Sequence, residues 1–88
     1  MSESDLERDF VKECEHRGWL AVKLNLKGYR GWPDRMIIGP LGQVRFVELK
    51  VPFGRLSPSQ EVVHDLLWQR NIKVHIPTRG EDFERIFE

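Results

Sequence analysis

Asp34-Arg35-Met36-Ile37-Ile38-Gly39-Pro40-Leu41-Gly42-Gln43-Val44-Arg45-Phe46-Val47-Glu48-Leu49-Lys50 is the stretch on which the fold turns. Asp34–Ile38 and Gln43–Val51 are rich in branched and aromatic residues, and Gly39-Pro40-Leu41-Gly42 between them is a turn signal, so the pair predicts a β-hairpin. A turn centred on Leu41 sets Ile38 opposite Val44, Met36 opposite Phe46 and Asp34 opposite Glu48. Side chains along a strand alternate between faces. One face therefore carries two apolar pairs and, at its far end, two carboxylates. Directly opposed side chains lie about 5 Å apart, and like charges there destabilise a sheet. A divalent cation offsets such a pair, because Mg²⁺ takes oxygen ligands and often uses one or two carboxylates plus water. Lys50, two residues beyond Glu48, projects from the same face. The competing reading is a bulged turn that leaves Asp34 in water and makes Glu48–Lys50 an ordinary strand-end ion pair.

Outward from the hairpin the elements alternate. Toward the N-terminus, residues 25–33 form a loop punctuated by Gly28, Gly31 and Pro33. Trp19–Leu24 reads as a strand. Residues 4–17 read as a helix: Leu6, Phe10 and Cys14 recur every four residues, with Ser4 as N-cap and Gly18 as the stop. Toward the C-terminus, Ser57 caps a second helix at about 58–71, Pro58 takes its first turn, and Val62, Val63, Leu66 and Leu67 make its buried face. Ile72–Pro77 reads as a short strand and Gly80–Glu88 as a terminal helix. The order α-β-β-β-α-β-α predicts an α/β fold, a mixed central sheet flanked by helices, over residues 1–88 as one domain.

Composition bounds the function. With 88 residues there is room for one core. No apolar run reaches the length of a membrane helix, and the acidic N-terminus does not read as a signal peptide. The single cysteine, Cys14, excludes an internal disulfide and a Cys-based zinc site and fits a cytoplasmic, intracellular setting. His16, His64 and His75 lack metal-binding spacing and read as structural. The net charge of zero divides unevenly. Residues 17–56 hold eight bases and two acids, a net +6, and the remainder is −6. A basic middle fits a polyanionic partner, although charges alternating outward from strands give the same count.

Three blocks in order, Gly31-Trp32-Pro33-Asp34-Arg35, Phe46-Val47-Glu48-Leu49-Lys50 and Leu56-Ser57-Pro58-Ser59-Gln60, resemble the VRR-NUC family (virus-type replication-repair nuclease) of the PD-(D/E)XK nuclease superfamily. The resemblance runs from about residue 3 to residue 78. It implies a restriction-endonuclease-like core and a metal-dependent DNA endonuclease. Asp34, Glu48 and the Leu49 backbone carbonyl would hold Mg²⁺, with Mn²⁺ as a substitute, and Lys50 would orient the attacking water or stabilise developing charge.

The resemblance also implies a glutamate on the first helix, matched by Glu7, and a glutamine at the start of the second, Gln60. Each has a local alternative, because Ser4-Asp5-Leu6-Glu7 and Ser57-Pro58-Ser59-Gln60 both read as capping boxes. Lys27, Tyr29, Arg30 and Trp32 in the loop before Asp34, with Arg55 after the second strand, are candidate DNA contacts by charge and stacking. A solvated loop with Trp32 tucked against the sheet is the plainer alternative. Short length and abundant tryptophan favour a homodimer, and Glu7 with the run after it resembles archaeal-type Holliday junction resolvases, so branched DNA is the expected substrate. The alternative function is a non-catalytic DNA-binding module, or a nuclease subunit that needs a partner.

Overall fold

The structure, a computed structural model, describes residues 2–88. Helix α1 spans Glu3–His16, and its stripe of Leu6, Phe10 and Cys14 is completely buried. Its cap differs from expectation. Ser2, not Ser4, is the N-cap: the Ser2 hydroxyl accepts from the Asp5 N–H at 3.2 Å, and the Asp5 carboxylate accepts from the Ser2 N–H at 3.2 Å. Two overlapping Ser-x-x-acid boxes compete here, and the earlier one adds a residue to the helix and frees the Glu7 side chain. Gly18, at φ +75°, ends α1; the Trp19 N–H then donates to the Cys14 carbonyl at 2.8 Å, turning the chain into the sheet.

Strands β1 (Leu20–Lys23), β2 (Arg35–Ile38), β3 (Val44–Val47) and β4 (Val74–His75) form one sheet in the order β1-β2-β3-β4. The first two pairings are antiparallel, and β4 joins β3 in parallel. Met36 pairs with Phe46 and Ile38 with Val44, the register that a turn centred on Leu41 requires. Ala21, Ile37, Val47 and Leu49 face α1 and build the core with Trp19, Phe83 and Ile86. Phe10 packs edge-on to Phe83 at 5.2 Å, and Trp19 edge-on to Phe87 at 5.3 Å. The terminal helix is shorter than expected: a 3₁₀ turn, Gly80–Asp82, precedes α3 at Phe83–Ile86.

The opposite sheet face is only partly covered. Helix α2, Pro58–Trp68, packs near β4 and ends three residues before the expected 71. Of its four expected core residues Leu67 is buried, Val63 half-buried, and Val62 and Leu66 exposed. Leu20, Val22 and Val44 on the uncovered part of this face are also exposed. This mixed sheet between helices is a restriction-endonuclease-like α/β architecture. No described helix is long and apolar enough to cross a membrane.

Candidate active site

The site lies where the hairpin strands part. Bonding from the Gly39 N–H to the Gln43 carbonyl at 2.7 Å makes that pair hydrogen-bonded, and hydrogen-bonded pairs recur at every second residue of an antiparallel ladder. Continued past Arg35↔Val47, the next such pair is Pro33 opposite Leu49. Proline has no N–H, so the Leu49 carbonyl loses its ladder donor, and it accepts no backbone hydrogen bond among the described residues. This also explains why β3 ends at Val47 instead of Val51: beyond it only the β4 side still bonds, with the Glu48 N–H donating to His75 at 2.8 Å and the Lys50 N–H to Pro77 at 3.3 Å. A proline before Asp34 thus leaves a backbone carbonyl unclaimed beside two carboxylates.

Glu48 is 1% exposed, and its Oε1 is buried with no hydrogen-bond partner. Its Oε2 accepts from the Gln60 side-chain amide at 3.2 Å and lies 3.9 Å from the Lys50 Nζ. Burial, and then the neighbouring Asp34 carboxyl, push the Glu48 carboxyl up to about 8; Lys50 opposes the shift. Two neighbouring carboxyls, one with an orphaned buried oxygen and the other next to a free carbonyl, make an all-oxygen donor set that fits a hard divalent cation. Asp34, Glu48 and the Leu49 carbonyl are the groups placed to hold it.

Gln60 caps α2 and also reaches Glu48. Its Oε1 accepts from the Ser57 N–H at 2.8 Å, and the Ser57 hydroxyl accepts from the Gln60 N–H at 3.2 Å, completing the box, while its amide N–H₂ reaches Glu48. Of Glu and Gln, the residues that usually complete a capping box, only Gln has both an acceptor for the helix start and a donor for a carboxylate.

Glu7 is placed elsewhere. It lies on the α1 side of the sheet, where its Oε1 accepts from Arg35 Nη2 at 2.7 Å and from Lys23 Nζ at 3.4 Å. These cations, Arg35 foremost, hold its carboxyl below the usual range. It does not cap α1, and no group of three His, Cys, Asp or Glu side chains converges among the described residues, so Glu7 is not gathered with Asp34 and Glu48. The physical reason is strand alternation: Arg35, adjacent to Asp34, points to the opposite face, is 8% exposed, and needs an anion there.

Lys27, Tyr29, Arg30 and Arg55 are exposed and Trp32 is half-buried, edge-on to Phe46 at 6.1 Å and to Tyr29 at 6.1 Å. Gly31, at φ +87°, clamps this loop to α2: a Cβ there would meet the Ser59 carbonyl oxygen at 2.3 Å. Two residues missed in sequence stand nearby. His64, one turn beyond Gln60 on α2, has a buried, unpartnered Nε2; burial first, then Lys50, lower its pKa while Asp34 opposes them. Its signal was the four-residue spacing from Gln60. Phe53, 99% exposed at φ +66°, shares the Arg55 loop. Its signal was an aromatic between Pro52 and Gly54, where no core is formed.

The fold and these carboxylates define a class, the PD-(D/E)XK-type nuclease domain. No family model matches the sequence. The chain is 36% identical over 66 residues, 75% of its length and 71% of the relative's, to "Putative nuclease p44" of Acyrthosiphon pisum secondary endosymbiont phage 1. It superposes on a solved VRR_NUC domain with a TM-score of 0.88 at 26% identity, covering 97% of this chain and 92% of the other. The chain belongs to the VRR-NUC family.

Proposed function

We propose that the protein is a Mg²⁺-dependent DNA endonuclease, selective for branched DNA such as Holliday junctions and active as a homodimer. The observation that carries the chemistry is the buried Glu48 carboxyl, with its orphaned oxygen, against the half-buried Asp34 and beside the unclaimed Leu49 carbonyl and Lys50. A cation held there would neutralise phosphate charge and lower the pKa of the attacking water. The protein's own groups do the rest. Gln60 fixes Glu48 from α2. Lys50, loosely engaged at 3.9 Å, is available to stabilise negative charge developing on the phosphate. The exposed Lys27, Arg30 and Arg55, in the loops before Asp34 and after Lys50, bind backbone phosphates. Glu7 supports β2 through Arg35.

Two features favour the dimer. Leu20, Val22 and Val44 form an exposed apolar patch on the sheet face that α2 leaves bare, and Trp68 is 65% exposed. Trp19, by contrast, is buried in the core. A two-fold dimer would present two sites to the opposed strands of a four-way junction. Incubation with four-way, flap and linear DNA, in Mg²⁺ or EDTA, tests the reading: paired symmetric nicks in the junction, only with Mg²⁺, are expected. Junction cleavage in EDTA contradicts the metal dependence, and cleavage confined to linear DNA contradicts the branch selectivity.

A further inference from the structure

The loop before Asp34 and helix α2 border an open pocket of about 430 Å³, a volume in the range of small-molecule binding sites. Tyr29, Trp32, Val63, Leu66 and Leu67 make its apolar walls, and Arg30 and Arg70 stand among the lining residues. No carboxylate lines it, and neither guanidinium has a salt-bridge partner among the described residues. Arg70 is tethered by one N–H to the Leu66 carbonyl at 2.8 Å, which leaves its other donors free. A ligand complementary to these walls is aromatic or apolar in body and anionic at its edge. The pocket is linked to the carboxylates through shared side chains, although neither Asp34 nor Glu48 lines it. Arg30 and Trp32 form one wall of it and one wall of the adjoining recess lined by Gly31, Ser57, Ser59 and Gln60, and Gln60 touches Glu48.

We infer that this pocket receives an unpaired base of the DNA strand being cut, stacked against Tyr29 and Trp32, with Arg30 and Arg70 on its flanking phosphates. The inference rests on the nuclease reading and deepens it. It gives branch selectivity a physical source, since a base inside a continuous duplex must give up pairing and stacking on both sides to enter, whereas a base at the edge of a branch, or in a single-stranded arm, gives up less. Aromatic stacking accepts any base, so the pocket selects structure and not sequence.

The test is made on the full chain in EDTA, so that it does not depend on cleavage. The probe is 2-aminopurine, placed either as an unpaired nucleotide at a DNA branch or within a continuous duplex. Protein should quench the unpaired probe several-fold and leave the paired one nearly unchanged. Leu66→Glu, which sets an anion in the pocket from an exposed position, and Tyr29→Ala should each weaken binding to the branched probe about ten-fold, with Tyr29→Phe restoring it. Duplex affinity should change far less. Wild-type quenching that survives Leu66→Glu and Tyr29→Ala overturns the inference. So does a Leu66→Glu variant whose only change is a halved mass, because the face then belongs between two copies. Quenching without Mg²⁺-dependent cleavage by the wild type would reject the nuclease reading and leave the pocket standing; cleavage without quenching would do the reverse.

Discussion

Glu48 is a carboxyl that the fold holds against its own ionisation. Its pKa rises from 4.5 to about 8 on folding, because burial and Asp34 disfavour the charged form. A raised carboxyl contributes stability that is complete below pH 4.5 and is lost as pH climbs toward 8, since the unfolded chain releases this proton first. His64 and His75, both lowered from 6.5, act in the opposite sense: they cost stability as pH falls below that value. In EDTA the melting temperature should therefore decline from about pH 6.5 to 8, where Glu48 acts alone, and Glu48→Gln should flatten that decline. Thermal melts across this range decide it, and an equal slope in both proteins contradicts the raised Glu48 carboxyl. A second residue separates sides of the sheet. Glu7→Gln removes the carboxylate from a buried guanidinium and should cost on the order of 1–3 kcal/mol in urea unfolding. A loss of cleavage without a loss of stability would instead return Glu7 to the metal site. Asp34 and Glu48 were readable in the sequence because register and alternation are arithmetic. The fate of Glu7 was not, because it depends on which of two serines caps α1 and on what Arg35 meets across the sheet.

Among the elements, the loop at 25–33 and the start of α2 act together. Gly31 lets the loop lie on the Ser59–Gln60 backbone in a conformation that side chains avoid. Gly31→Ala should push the loop off α2, reduce activity sharply and raise hydrogen exchange in residues 27–33, while the α1 core stays protected; unchanged exchange there refutes the clamp. Gln60→Glu separates capping from chemistry. A glutamate still serves the capping box, so α2 should keep its helicity, but it cannot donate to Glu48, and cleavage should fall at least ten-fold. Undiminished cleavage would leave Gln60 a cap alone. The hairpin, both helices and their order could be read from periodicity and turn residues. Strand ends could not: β3 stops where Pro33 withdraws a donor, and on α2 Leu66 lines the pocket while Val62 faces outward, so both match a core pattern without being buried.

For the molecule as a whole, the +6 of residues 17–56 suits a polyanion, and on the proposed nuclease function affinity for any duplex should fall steeply with salt. Light scattering at micromolar concentration should give twice the 10.4 kDa chain mass, and Val22→Asp with Val44→Asp, both on exposed sheet positions, should return it to one chain. A single-chain mass for the wild type contradicts the dimer and leaves the site chemistry untouched. That chemistry is the central claim, and one measurement meets it directly: the cleavage rate of four-way DNA by wild type and Glu48→Gln, each with Mg²⁺ and with EDTA, on protein shown to be folded. Cleavage by the wild type with Mg²⁺ alone, and by Glu48→Gln under neither condition, is the predicted result. Equal cleavage by the two proteins would contradict the assignment of Asp34, Glu48 and Lys50 as the catalytic centre.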